Sequence, residues 1–245
     1  MMKQRILMMI IAALSVAGLQ AQGTVYGIKG GFTLATQQWD AINTNALFLP
    51  QGDFFIEDVP ESNAFSLFAS LGYHPKGSAL RNRFFNNVLN GQLTRVPPER
   101  FIFHNASLVL GAKQKFDIGR GESRFFYSIG VRADYTFDTN LNEFDEINNF
   151  FFSTLPVNDP TYIREFNYGV TIGGGMEYSL GDFVGMSLEL NLHPDFSFQY
   201  EQPEIGNVTD PFTGNQTTIP ERQIRNIAFE VSLGFRFLRE VIYID

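Results

Sequence analysis

The stretch from 165 to 200 alternates between two kinds of side chain, and this pattern constrains the fold more than any other feature of the chain. Even positions from Phe166 to Leu180 are apolar or glycine, whereas the odd positions between them are polar, charged or glycine. A tight turn at Gly181 and Asp182 follows, and the alternation resumes at Val184. Because successive strand side chains point to opposite faces, the sequence predicts a long two-stranded hairpin with one uncharged face.

The apolar face of this hairpin is layered by residue type. Aliphatic side chains and methionine fill its middle, and aromatic side chains lie toward its ends, at Phe166, Tyr168, Tyr178, Phe196, Phe198 and Tyr200. An outer-membrane barrel has this arrangement, with aromatic girdles at both headgroup levels and a hydrocarbon band between them. The opposite face keeps small and polar residues, which suit a narrow, filled lumen. The pattern predicts an all-β fold, an eight-stranded antiparallel up-and-down transmembrane β-barrel.

The same alternation recurs along the rest of the chain. It predicts six further strands, at 24–36, 46–57, 64–75, 101–116, 124–138 and 225–238. Longer connections follow the first, third, fifth and seventh strands, which places both termini on the periplasmic side and the longer loops outside. We expect the last strand to close onto the first, because an open sheet edge in hydrocarbon leaves backbone groups without hydrogen bonds.

The amino terminus has the pattern of a secretory signal. Lys3 and Arg5 precede an apolar run from 6 to 19, and Ala21 is a suitable last residue before cleavage. We therefore expect a signal peptide over 1–21 and an outer-membrane barrel domain over 22–245. The net charge of −8 argues against nucleic acid as a partner. The absence of cysteine excludes disulfides and a lipidated cysteine at the cleavage site.

Four segments of the chain carry a family resemblance. They are GIKGGF at 27–32, LGYHPKG at 71–77, YGVTIGGGMEYSL at 168–180 and LGFRF at 233–237. With these segments the chain resembles the outer-membrane β-barrel families of the Bacteroidetes phylum that are loosely called PorT-like. The resemblance implies a barrel in the outer membrane, and it implies that some relatives take part in protein secretion or gliding.

The inward-facing positions predict a charged network inside the barrel. The candidate site residues are Lys29, Lys113, Lys115, Arg132, Asp134, Glu177, Glu189, Asp195, Glu230 and Arg236, and Asp53, Glu57 and Asp138 are also expected to point inward. Side chains fill the interior of an eight-stranded barrel. We therefore expect a self-neutralising plug that makes the barrel rigid. A narrow selective pore or a proton path is the alternative interpretation of the same residues.

The three histidines bear on the question of catalysis. His74 and His193 are expected to face inward and His104 outward, and none has a serine at a spacing that predicts a nucleophile–base pair. Three histidines without cysteine also make a poor metal set. We therefore expect that the chain is not an enzyme and that it binds neither a cofactor nor a metal ion. A lipid-modifying enzyme that uses the polar lumen remains an alternative.

Two of the predicted loops carry opposite charges. Loop 76–100 is rich in lysine and arginine, whereas loop 139–164 is acidic and contains three consecutive phenylalanines at 150–152. The two loops can pair with each other, or they can bind a partner protein or a surface glycan. The sequence thus indicates a non-enzymatic protein of the outer membrane, surrounded by its lipid, with a structural, adhesion or secretion-accessory role. A narrow transporter and a soluble lipocalin-like carrier are further alternatives.

Overall fold

The structure is a computed structural model that describes residues 23–39, 44–59, 65–80, 84–86, 93–95, 100–119, 123–141, 160–209 and 214–240. The predicted signal peptide lies outside these ranges. The strands are β1 Gly23–Trp39, β2 Thr44–Val59, β3 Phe65–Tyr73, β4 Lys76–Leu80, β5 Phe84–Asn86, β6 Leu93–Arg95, β7 Arg100–Ile118, β8 Ser123–Thr139, β9 Phe166–Ser179, β10 Val184–Pro194, β11 Tyr200–Gln202, β12 Ile205–Thr209, β13 Gln216–Ile219 and β14 Arg222–Glu240. One turn of 3-10 helix forms at Pro160–Tyr162. Within the described ranges, no helix is long and apolar enough to cross a membrane.

Eight long strands form a closed ring. Its order is β1, β2, β3, β7, β8, β9, β10 and β14, and every pairing is antiparallel. β14 closes the ring on β1 in one unbroken register from Gly23 opposite Glu240 to Trp39 opposite Ile224. This closure confirms the predicted eight-stranded up-and-down barrel. We call the end where β1 begins and β14 ends the terminal end, and the opposite one the loop end.

Two ring strands are interrupted near the loop end. β3 stops before His74 and Pro75, and β4 continues its path by pairing with both β2 and β7. Similarly, β10 ends at Pro194 and β11 pairs with β14 farther along the same path. Proline lacks a backbone N–H and therefore breaks a ladder of hydrogen bonds. At both places the chain leaves the ladder briefly and still continues the wall of the barrel.

The outer face of the ring is apolar. Ile129, Val131, Leu188 and Leu190 leave 48–63% of their surface exposed, as a wall in contact with lipid requires. Pairs of aromatic rings in contact, two stacked and two tilted, lie on both sides of this aliphatic band. Tyr26 with Phe237 and Phe116 with Tyr127 lie toward the terminal end, and Phe32 with Phe48 and Tyr135 with Phe166 lie toward the loop end.

Three sequence predictions are wrong, each because the backbone departs from a regular strand. Lys76 was expected in a loop, but β4 carries it into the lumen, where it is buried. Tyr200 was expected on the outer face, but the irregular stretch after Pro194 turns it inward, and it is fully buried. Asp138 was expected inside, but a β-bulge between β7 and β8 leaves it exposed. The predicted loops 76–100 and 201–224 also contain short hairpins, β5–β6 and β12–β13.

Candidate functional site

The structure places all ten predicted charged side chains on the inner face of the barrel. Eight of them are buried, and Lys29 and Arg236 are partly exposed, with 7% and 16% of their side-chain surface accessible. Asp53, Glu57 and His74 join them as predicted, and Lys76 is the member that the sequence reasoning missed. Because most of these residues are spread over seven of the eight ring strands and β4, only ring closure brings them together. Their contacts divide them into three clusters along the barrel axis.

The lower cluster lies toward the terminal end and consists of Lys29, Glu57, Lys113, Lys115, Glu177, Glu189 and Arg236. Lys113 Nζ lies 3.1 Å from Glu57 and 3.4 Å from Glu189. Lys29 Nζ lies 2.8 Å from Glu189. Lys115 contacts Glu57 and lies 3.1 Å from Glu177, and Arg236 Nη1 lies 2.5 Å from the same Glu177 oxygen. Each carboxylate of this cluster therefore forms ion pairs with at least two cations.

Aromatic rings support the ammonium group of Lys113. The rings of Phe55, Phe68 and Phe126 surround it, with centroids 4.6–5.5 Å from Nζ. A cation over the face of an aromatic ring is stabilised by the ring quadrupole, most strongly when it is shielded from water. Phe55 and Phe126 are themselves almost fully buried. The lower cluster is therefore packed as a core is packed, with charges and rings in one layer.

The middle cluster is built on two histidines that share Glu230. His74 places Nε2 2.5 Å from Asp53 and Nδ1 2.9 Å from Glu230. His193 places Nε2 2.9 Å from Glu230 and Nδ1 2.9 Å from Thr171 Oγ1. An imidazole with a carboxylate at each nitrogen makes both hydrogen bonds only when both nitrogens carry hydrogen. The geometry thus favours a charged His74, whereas a neutral His193 satisfies both of its partners.

The upper cluster pairs two cations with two carboxylates. Lys76 Nζ lies 2.6 Å from Asp134 and 2.8 Å from both oxygens of Asp195. Arg132 Nε donates to Asp134 at 3.0 Å, and its Nη2 donates to Asp195. Ser107 donates to Asp134 at 2.5 Å. No buried side-chain N or O atom of these four charged residues lacks a hydrogen-bond partner.

Uncharged polar side chains extend the upper cluster toward the loop end. Asn226 donates to Asp195 at 3.0 Å and to Gln199 at 3.1 Å, and Gln199 donates to Thr136 at 2.7 Å. Beyond them, Phe101 and Phe103 on β7 are buried against Leu141. The lumen thus passes from ion pairs through amides to an apolar layer.

The charges of the lumen balance within these described residues. Seven carboxylates face inward, at Asp53, Glu57, Asp134, Glu177, Glu189, Asp195 and Glu230, against six cations at Lys29, Lys76, Lys113, Lys115, Arg132 and Arg236. A charged His74 supplies the seventh positive charge. Isolated buried charges are costly, so the pairing of every one with an opposite charge keeps the interior stable.

Two cavities interrupt this packing. A cavity of about 20 Å³ lies between the lower and middle clusters, beside Ser70, Ser128 and Asn191. A larger one of about 260 Å³ opens at the terminal end, below Lys115 and Arg236. The first has room for roughly one water molecule, since one probe sphere needs about 10–15 Å³. The middle of the lumen therefore leaves little free space beside the smaller cavity, and the larger one opens at the terminal end.

The hydrogen-bond partners of the three histidines are carboxylates, a threonine and a tyrosine. His104 lies on the outer side, where Nδ1 is 2.6 Å from Tyr73 Oη and the two rings stack. His74 and His193 contact the groups of the middle cluster already described. In the described residues, no group of three or more metal-ligating side chains is arranged to hold a metal ion. The expectation that the chain is not an enzyme stays a prediction.

Comparison with known proteins finds similarity to solved outer-membrane proteins at low identity and low TM-score. No family model matches the chain, and no curated protein matches it, so the PorT-like resemblance stays a prediction. Among solved structures, the chain is similar to Neisserial surface protein A, with 10% identity, a TM-score of 0.45 and coverage of 89% of this chain and 97% of that one. It is also similar to the attachment invasion locus protein Ail of Yersinia pestis, crystallised with a heparin analogue, at 10% identity, TM-score 0.40 and coverage of 87% and 99%. The outer-membrane protease OmpT of Escherichia coli is similar at 8% identity, TM-score 0.39 and coverage of 89% and 97%.

Proposed function

We propose that this chain is a non-enzymatic protein of the bacterial outer membrane, whose lumen is a structural plug and whose loops carry its activity. The observation that supports this most is that apolar side chains cover the outside of the barrel and charged side chains fill its inside, the reverse of a water-soluble protein. Aliphatic side chains such as Leu188 and Val131 are exposed around the barrel, whereas Glu189 and Arg132 beside them in sequence are buried inside. In water this arrangement would expose a large apolar patch, but in a bilayer it is the stable one.

The inference that the lumen is a plug rests on the pairing of its buried charges with one another. A selective pore needs polar groups that face a continuous water-filled path. Here Arg132 and Lys76 are committed to Asp134 and Asp195, and each of the four is almost fully buried. An ion in transit would have to displace these pairs, and breaking a buried pair costs about 3–5 kcal/mol. We infer that the interior stabilises the barrel and does not conduct.

The loop end is then the surface on which recognition takes place. Its described part exposes Arg164, paired at 3.2 Å with Glu201, and Arg225, which lies 4.2 Å above the ring of Phe198. Loops 76–100 and 139–164 both begin or end here, although much of each lies outside the described residues. We infer a structural, adhesion or secretion-accessory role, in which these loops bind a partner protein or a surface glycan.

The proposal includes an orientation. The connections β2–β3, β7–β8 and β9–β10 at the terminal end span only four or five residues, whereas three of the four connections at the loop end are much longer and only β1–β2 is as short. Barrels of the outer membrane have short periplasmic turns and longer extracellular loops. We therefore place the terminal end in the periplasm, with a signal peptide over 1–21 directing export. A PorT-like relationship is compatible with this placement.

Three measurements on the purified full chain test the proposal. It should require detergent for extraction, migrate differently on gels before and after boiling, and show no single-channel steps in planar bilayers. Steady conductance that disappears in Arg132→Ala or Glu189→Gln would contradict the plug. Affinity capture from membranes should yield a partner that is lost when residues 144–157 are deleted. Replacing the terminal-end turn at 119–122 with a turn of equal length is the matched control, and it should leave capture unchanged.

A further inference from the structure

The larger cavity lies at the end of the barrel opposite the proposed recognition loops, and we call it the terminal vestibule. Its volume is about 260 Å³, and its walls include Val25, Val184 and Leu238. The vestibule is thus much larger than the single-water cavity in the middle of the lumen and has room for several water molecules. That space is sufficient for a small polar ligand.

The floor of the vestibule carries an excess of positive charge. Lys113, Lys115 and Arg236 share Glu57 and Glu177 as their nearest carboxylates toward this end. Glu189 also contacts Lys113, but it lies closer to Lys29. Three cations thus face two carboxylates, and Lys115 and Arg236 line the cavity itself. An anionic group on this floor would bring the layer to neutrality.

The floor is also the layer in which hydrogen bonding is least complete. Arg236 Nε is buried and donates to no acceptor in the described residues, and Ser187 Oγ, on the same inner face, has no partner there either. Both oxygens of Glu177 lack a hydrogen bond of good geometry, although they form ion pairs. A guanidinium with an unused donor is suited to the oxygens of a phosphate, which it can bind through two nitrogens.

The rim of the vestibule carries two carboxylates, beside Arg124, whose charge is paired with Asp117 at 2.8 Å. Asp182 lies in the exposed β9–β10 turn, and Asp58 lies at the end of β2. Asp58 already accepts a hydrogen bond from the backbone N–H of Leu67, whereas Asp182 is exposed. The carboxylates of the rim would repel a ligand that carries only negative charge. A ligand with a positive group beyond its phosphate would contact both surfaces favourably.

We propose that the terminal vestibule binds a phosphate group that carries an amine, the chemistry of a phosphoethanolamine headgroup. The phosphate contacts Arg236 and Lys115 on the floor, and the ammonium faces Asp182 at the rim. Such a group can come from a soluble molecule or from the headgroup of a lipid in the adjacent leaflet. This site is independent of the loops, and its failure would leave the proposed function untouched.

The test uses the purified full chain in a phosphate-free detergent. Phosphoethanolamine and inorganic phosphate are titrated separately by calorimetry against the parent, Arg236→Gln, Asp182→Asn and Arg225→Gln, the last being an exposed arginine at the opposite end. We expect phosphoethanolamine to bind more tightly than inorganic phosphate. We expect Arg236→Gln to weaken both by about tenfold or more, since it removes a charged hydrogen bond. Asp182→Asn should weaken only phosphoethanolamine, and Arg225→Gln should change neither.

A lipid analysis distinguishes a soluble ligand from a lipid headgroup. It is carried out on protein extracted from bilayers that contain phosphatidylethanolamine and phosphatidylglycerol. Retention of phosphatidylethanolamine by the parent but not by Arg236→Gln assigns the site to a lipid headgroup, and binding of the soluble probe without such retention assigns it to a soluble ligand. Equal affinity of both probes, or undiminished binding by Arg236→Gln, overturns the proposal. If Arg236→Gln does not fold, the comparison of the two probes and Asp182→Asn still decides.

Discussion

Replacement of Lys76 with methionine tests the upper cluster at its centre. Lys76 is 1% exposed, and its ammonium group lies within 2.8 Å of Asp134 and of both oxygens of Asp195. Methionine keeps the length of the side chain and removes the charge. Asp134 and Asp195 would then share Arg132 as their remaining cation. The variant therefore leaves one negative charge buried without a partner.

The expected cost follows from that uncompensated charge. Removal of one partner from a buried ion pair costs about 3–5 kcal/mol, a large fraction of the 5–15 kcal/mol by which folded domains are typically stable. We expect the free energy of unfolding to fall by this amount in Lys76→Met. In Lys76→Met combined with Asp134→Asn, the loss should be smaller than the sum of the two single losses by about 1 kcal/mol or more, because the charge is balanced again.

Reversible unfolding in urea from lipid vesicles measures both quantities, with the gel shift between folded and unfolded forms as the readout. Arg164→Met is the matched control, because it also removes a cation from an ion pair, yet Arg164 and Glu201 are 55% and 37% exposed in their side chains. An exposed pair contributes about 0–1 kcal/mol. The reasoning is refuted if Lys76→Met loses no more stability than Arg164→Met, or if the double variant is simply additive.

Two further substitutions test the wall of the barrel. Leu188→Arg places a charge on the middle of the lipid-facing band and should cost about 2–4 kcal/mol in vesicle unfolding, whereas Phe183→Arg in the terminal-end turn should cost about 0–1 kcal/mol; equal costs would contradict the position of the band. Gly31→Ala should be destabilising by about 1–3 kcal/mol, because its Cβ would collide with the carbonyl oxygen of Val231, while the neighbouring Gly30→Ala should be tolerated, since its nearest atom would lie 3.9 Å away. Equal melting temperatures of these two alanine variants would show that β1 and β14 do not approach as closely as described.

Much of the barrel could be predicted because the two-residue alternation of polar and apolar side chains shows which face of a strand each residue lies on. A residue two positions farther along a strand lies on the same face, so the alternation assigns residues such as Glu189 and Arg132 to the lumen without any knowledge of the fold. It also assigned Lys29 and Glu177 correctly to the inner face. The identity of each ion pair could not be predicted in this way. Lys29 contacts Glu189, 160 residues away, only because the ring closes in one particular register.

The errors arise where the backbone leaves the regular strand. The sequence predicts that the third strand ends at Pro75, although Lys76 and Ser78 continue the inward spacing of Gly72 and His74. That continued spacing is the signal that would have found Lys76. The bulge that exposes Asp138 and the irregular backbone that buries Tyr200 leave no such signal, because both depend on how neighbouring strands pair.

Accessibility of single cysteine labels tests the central claim most directly, since the natural chain has no cysteine. Spin labels are placed at Leu190→Cys on the outer face and at Ser128→Cys on the inner face, and the protein is reconstituted in lipid vesicles. We predict that the label at 190 collides readily with oxygen dissolved in the bilayer and poorly with a water-soluble nickel chelate, whereas the label at 128 is shielded from both. A label at 128 that is exposed to the bilayer, or a label at 190 that is shielded from it, would contradict the assignment of the two faces.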